Sequence, residues 1–278
     1  AIGGGATLLN TDVGTLTVLS TGGAGNDVTV TDSGTGGDTT YNIATGGAGT
    51  ITVTQTMNDI LLGANSTTGT ASFTSAAAID DATAGADGVT DITANTVDLN
   101  AATGIGSTNA IELAASTITA DNSTSGNVNI DNALATGVTV TTLTTNGGGT
   151  ILFEQSGGGN VAFGTVATMT DGSPTAGEDD ITLSNDNGDL TITTSVTADG
   201  AGDITYNTTT AGNVELTGTS TAAGDDVQIN SVGDIDGAGL VTASVVDLNA
   251  ATGIGGTTPL ELAASTITAD NSTSGNVN

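Results

Sequence analysis

Residues 97–129 return almost unchanged at 246–278. Of these 33 aligned positions only 107, 109, 110 and 111 differ from their partners at 256, 258, 259 and 260. The match continues upstream in looser form. Asp27-Val28-Thr29 answers Asp180-Ile181-Thr182, and Gly49-Thr50-Ile51-Thr52 answers Gly202-Asp203-Ile204-Thr205, both at a shift of 153. The chain is just under two copies of one unit of ~150 residues, and such self-similarity is the signature of a solenoid or array. The first copy runs over about 3–156 and an incomplete second over 157–278. With no linker-like break between them, 1–278 reads as one continuous solenoid. Because copy one continues past Asn129 into Ile130-Asp131-Asn132, the expectation is a window from a much longer polypeptide.

A finer rhythm runs inside each copy: Gly, then Asp, Asn or Thr, then an aliphatic residue, any residue, and a second large apolar one. Examples are Gly49-Thr50-Ile51-Thr52-Val53, Gly126-Asn127-Val128-Asn129-Ile130, Gly188-Asp189-Leu190-Thr191-Ile192 and Gly202-Asp203-Ile204-Thr205-Tyr206. Alternation with period two marks a strand with one face buried. Glycine supplies the left-handed turn before it, and Asn or Asp tolerates that region. The first apolar anchors fall 23 apart for 28→51, 138→161, 181→204 and 204→227, and 24 apart for 190→214. A turn of roughly 20–24 residues holding two or three short strands predicts an all-β fold, a parallel β-helix. About 12–13 coils at ~4.8 Å would give a rod of roughly 60 Å. Asn146-Gly147, Asn187-Gly188, Asp199-Gly200 and Asp236-Gly237 are hairpin-type dipeptides, so serial antiparallel β-sandwich repeats are the alternative. The register predicts Leu16, Val28, Ile51, Val128, Ile151, Val161, Ile181, Leu190, Ile204 and Val214 inside. It places Thr17, Thr29, Thr52, Thr182, Thr191 and Thr205 outside. The Ala-rich stretches 75–86 and 110–116 allow short helices, wide loops or strands packing small residues.

Composition narrows function. Lys, Arg, His, Cys and Trp are absent against 30 Asp plus Glu, giving a formal charge of -30. Nucleic acid and anionic lipid need Lys or Arg to dock, so neither is an expected partner. No apolar run approaches a membrane span, so no membrane insertion of this segment is expected. Without cysteine there is no disulfide, thiolate zinc site or cysteine catalysis. Asp pairs could serve an inverting glycosidase, but no Arg, Lys or His positions a substrate, and no enzyme is expected.

The recurring Gly-[Asp/Asn/Thr]-aliphatic-x-aliphatic string resembles the rungs of filamentous-haemagglutinin-type exoproteins and autotransporter passengers. It is also similar to the very long Thr/Gly/Asp-rich bacterial surface proteins with serial β-strand repeats. The resemblance covers most of 14–278 and implies a secreted right-handed β-helix used for adhesion or as a surface fibre. The expected function is a structural segment of an extracellular fibre, sheath or stalk on a microbial surface. The alternative is an adhesin binding a glycan or protein partner through loops off the rod. The expected partners are further copies of the chain, by end-to-end continuation or filament assembly, and divalent cations.

No catalytic or cofactor-binding residue is expected. Calcium is the cofactor the acidic turns suit, at Asp80-Asp81, at Asp179-Asp180 beside Glu178, and at Asp225-Asp226. Hard cations take six to eight oxygens, and stacked carboxylates with turn carbonyls could supply them. The plainer reading of these doublets is solvated charge. Gly22-Gly23-Ala24-Gly25-Asn26-Asp27 begins like a calcium-binding nonapeptide, but Thr29 stands where a large apolar residue belongs, so it reads as a Gly-rich corner. Sequons at Asn65, Asn122, Asn207 and Asn271 are no more than this composition scatters by chance. Thr29/Thr31, Thr52/Thr54, Thr139/Thr141 and Thr191/Thr193 have the Thr-x-Thr form of ice-binding solenoids, but irregular rung lengths favour plain outward Thr. A change in repeat shift from 153–154 to 149 between 73 and 87 marks a place where the copies differ in loop length.

Overall fold

A computed structural model describes residues 4–22, 25–83, 88–169 and 179–278. Among them there is no helix, and parallel strands stack as a β-solenoid of about 11 turns with about 23 residues per turn. The chain forms two compact units, Ala1–Ala133 and Leu134–Asn278. The boundary between them lies inside the first long repeat.

In the first unit, strand Val28–Asp32 lies between Ala6–Thr11 and Ile51–Gln55, with Val28 paired to Ala6 on one side and Ile51 on the other. The ladder continues through Thr70–Ser75, Ile92–Ala101 and Ile111–Asn122. Each step adds one residue to an inward column: Ala6, Val28, Ile51, Ala71, Val97 and Ile118, all buried. A parallel ladder in register forces like positions to stack, so one turn's aliphatic pair meets the next turn's. Each fully buried aliphatic side chain contributes about 1.5–3 kcal/mol of burial. No single turn has a core of its own, and repetition supplies the stability.

The second unit repeats the device. Val138, Val161, Leu190, Val214, Ile235 and Ile254 form one column. Ile151, Ile181, Ile204, Val227, Val246 and Ile267 form another. Beside the latter, Phe153 packs edge-on against Phe163 with ring centroids 5.3 Å apart. The expected register holds. Nine of the ten named anchors are buried, Leu16 is half-buried, and the six named threonines are all at least partly exposed.

Four expectations are decided here. The parallel pairing excludes the antiparallel sandwich. The Asn-Gly and Asp-Gly dipeptides are corners of the solenoid, where Gly147, Gly200 and Gly237 take φ of +72°, +61° and +119°. The Ala-rich stretches hold strands: Ile79–Asp81 lies in the first and Ile111–Asn122 overlaps the second, with Ala115 fully buried. The turns number about 11, fewer than the 12–13 expected, because some loops are long; Ile151 pairs with Ile181, 30 residues on.

Gly212 shows why glycine precedes so many strands. Its φ is +119°, and an added Cβ would overlap the Gly188 carbonyl of the preceding turn. Adjacent backbones pass too closely there for any side chain.

Candidate functional site: carboxylates at the corners of the turns

The Asp or Asn that follows glycine in the rung motif has a job between turns. Asp180 Oδ1 accepts from the Asp203 amide at 2.9 Å, and Asp203 Oδ1 accepts from the Asp226 amide at 3.0 Å. A second series runs from Asn160 Oδ1 to Asp189 N at 3.0 Å, Asp189 Oδ1 to Asn213 N at 2.9 Å, and Asn213 Oδ1 to Asp234 N at 2.8 Å. In the first unit Asp27 Oδ1 accepts from Thr50 N at 2.8 Å, and this bond lowers the Asp27 pKa from its usual 3.8. Each side chain caps the amide of the equivalent residue one turn later, a donor left outside the regular ladder. Sequence reasoning assigned these residues only to turn conformation. The signal it missed is that Asp and Asn recur at the same interval as the apolar anchors.

One member of each of two acidic doublets, Asp180 and Asp226, belongs to these ladders. Asp226 is held through its amide, while burial and the neighbouring Asp203, Asp226 and Asp180 raise the Asp225 pKa from 3.8. Asp180 is a corner cap, Asp179 is buried with φ of +67°, and Glu178 lies outside the described residues. Asp27 belongs to a corner as well, with Gly23-Ala24 outside the described residues. In the second unit an open groove is lined by Asp203, Asp226, Asp247 and Asp270. Gln228 Nε2 and Asn249 Nδ2 donate to Asp247 Oδ2 at 3.2 and 3.1 Å across it.

The doublet Asp80-Asp81 is split by strand alternation. Asp80 points outward and accepts from Thr108 N at 3.2 Å. Burial is the largest cause raising its pKa from 3.8. Asp81 points inward, in register with Leu62, which is itself paired to Tyr41. A carboxylate therefore continues a column of large core residues, and it is only 6% exposed. Two further acids from other strands meet it. Asp91, 4% exposed, ends the loop before Ile92–Ala101, and Glu112, 8% exposed, lies on Ile111–Asn122. A carboxylate oxygen from each of Asp81, Asp91 and Glu112 lies within 4.8 Å of the others.

Backbone geometry fixes two members of this cluster. Asp91 N donates to Glu112 O at 2.8 Å, Glu112 N donates to Asp91 Oδ2 at 2.9 Å, and Asp91 O accepts from Asn65 N at 2.7 Å. Asp91 is thus pinned between the turn before and the turn after. Asp81 Oδ1 accepts from Thr83 N at 2.9 Å, while Asp81 Oδ2 is buried with no hydrogen-bond partner. Burial, and then the neighbouring Asp81 and Glu112, push Asp91 from 3.8 up to about 9. Asp131 stands one strand beyond, in register with Glu112, and its Oδ1 is likewise shielded without a partner.

Asp32 shows what a satisfied buried carboxylate looks like in this fold. Its Oδ1 accepts from Gly34 N at 2.9 Å, and its Oδ2 accepts from Thr39 Oγ1 at 3.1 Å and from Tyr41 OH at 3.3 Å. Tyr41 OH also lies 2.6 Å from Gln55 Oε1, so its one proton is shared between the two acceptors. Burial, and then Asp32, raises the tyrosine pKa far above 10.0. Among the described residues, the Asp81 cluster brings three acidic side chains close enough together to hold a cation.

Two of the four sequons lie inside the fold. Asn65 Oδ1 accepts from Ile43 N at 3.0 Å, and Asn122 Nδ2 donates to the carbonyls of Ser125 and Gly126 at 2.7 Å each. Both are buried corner amides, shielded from a glycan. The Thr-x-Thr pairs Thr29/Thr31 and Thr52/Thr54 do stack in register, followed by Ser72/Thr74. The next rung is Asp98/Asn100, so the array is short. No protein-family model, curated protein or solved structure matches this chain.

Proposed function

We propose that this chain is a structural segment of an extracellular fibre, sheath or stalk on a microbial surface, built from repeats and without catalysis. The observation that carries the proposal is the stacking of inward aliphatic columns along parallel ladders in both units. In such a construction, load along the stacking direction falls on all the hydrogen bonds between two turns together, so many must break at once. Its cohesion grows with every turn added. The acidic exterior supports the reading as well. With 30 carboxylates and no side-chain cation, neighbouring fibres repel one another unless divalent ions bridge them. The lack of Lys and Arg also removes every trypsin site.

Self-association belongs to the proposal. Each turn offers the next the same parallel register, as Ile204 pairs with Ile181 on one side and Val227 on the other, so a further turn of the same kind can extend the ladder. Small-angle scattering and electron microscopy test the reading. Elongated particles that lengthen by end-to-end contact with rising concentration are expected. A compact, monodisperse particle at all concentrations rejects the fibre in favour of a discrete binding module.

A further inference from the structure

The two long repeats are nearly identical over 97–129 and 246–278, so the place where they part is informative. Ile79 bridges to Ile105, and its counterpart Ile235 pairs with Ile254. From that point to the next ladder, copy one has 12 residues between Ile79 and Ile92, while copy two has five between Ile235 and Val241. Asp81 and Asp91 flank the extra segment. At the corresponding places copy two has Gly237 and Leu240, although Glu112 is kept as Glu261. Leu240 pairs with Glu261 just before the ladder position that pairs Ile92 with Leu113. The first copy therefore gains two buried acids together with the longer loop, around a glutamate common to both.

We infer that Asp81, Asp91 and Glu112 form a binding site for one divalent cation of calcium's size, specific to the first repeat. Three observations carry this. First, the geometry suits the ion: with calcium–oxygen distances of about 2.4 Å, ligand oxygens stand at most about 4.8 Å apart. The three carboxylates already meet within 4.8 Å. Second, Asp81 is 6% exposed and its Oδ2 has no hydrogen-bond partner. A buried carboxylate oxygen left in this way is costly unless a cation or proton meets it. Third, the whole chain contains no Lys, Arg or His, so no side chain of its own can supply the positive charge. Asp32 meets this cost through the Gly34 amide and the shared hydroxyl protons of Thr39 and Tyr41, and Asp81 Oδ2 has no such donor.

The ion would draw Asp81 and Asp91 together at the two ends of the extra segment and tie both to the Ile111–Asn122 strand. It ties together three acids of which the second copy keeps only the glutamate. Waters complete the coordination beyond the six oxygens three carboxylates can offer.

The test is calcium titration by calorimetry, with thermal unfolding followed by circular dichroism, in 0.5 M NaCl. At that ionic strength the Debye length is about 4 Å, and diffuse binding to the acidic exterior is suppressed. One saturable calcium per chain is expected, with a melting temperature that rises on addition and falls with chelator. Asp81→Asn should weaken binding by about tenfold or more, since affinity follows the number of charged ligands. Asp91→Leu, which installs the residue of copy two, should do the same. If Asp91→Leu fails to fold, Asp81→Asn decides. The double variant Asp225→Asn/Asp226→Asn should bind as the parent does. Absence of saturable uptake, uptake unchanged in the cluster variants, or equal affinity for magnesium overturns the inference.

Discussion

A single side chain in this fold answers to two turns. Asn213 receives through its own amide the cap offered by Asp189 and passes a cap on to Asp234, at 2.9 and 2.8 Å. Asn213→Ala removes the second bond without changing charge. A loss of about 1 kcal/mol is expected, read as a lower urea midpoint at unchanged slope. Asp27 gives the corresponding pH dependence. The Thr50 amide favours its carboxylate, so its pKa is lower folded than unfolded. Its contribution is present above the unfolded value of 3.8 and lost as pH falls through the lower folded value. The difference in melting temperature between parent and Asp27→Asn should be largest at pH 6 and shrink as pH falls below 3.8. The opposite trend would mean that the amide bond is absent. The Asp in each rung was legible in the sequence as a turn former. Its reach into the next turn was not, because that reach depends on which residues the ladder places 4.8 Å away, and local spacing is silent on it.

At the scale of the strand, period-two alternation decides nearly everything. Ile204 is fully buried, while Thr205 is half-exposed on the other face. Ile204→Ala should cost about 2–5 kcal/mol, and Thr205→Ala should stay within about 0.5 kcal/mol of parent. Equal effects in equilibrium unfolding would show a slipped register. The same alternation explains why an acidic doublet misleads. Asp80 and Asp81 are adjacent in sequence and lie on opposite faces, so the partners of Asp81 come from 10 and 31 residues away. Residue Glu112 carried no signal of its own. It sits between Ile111 and Leu113 on the outward parity, and only folding makes it buried.

Across the whole chain, charge acts as a single quantity. A formal charge of -30 with no side-chain cation means that compaction brings like charges together. Screening should relieve that repulsion. The melting temperature is expected to rise steadily between 0.01 and 0.5 M NaCl, where the Debye length falls from about 30 to about 4 Å. A flat response in a salt series with chelator present would show that the carboxylates are too widely spaced to interact. The sequence by itself determined the period and the inward set, because stacked turns copy one-dimensional spacing directly, while the structure decided for parallel over antiparallel pairing. Only the tertiary structure decided which carboxylates meet. Asp81, Asp91 and Glu112 converge through a loop of irregular length and through two different faces of the turn, and no period in the chain encodes that convergence.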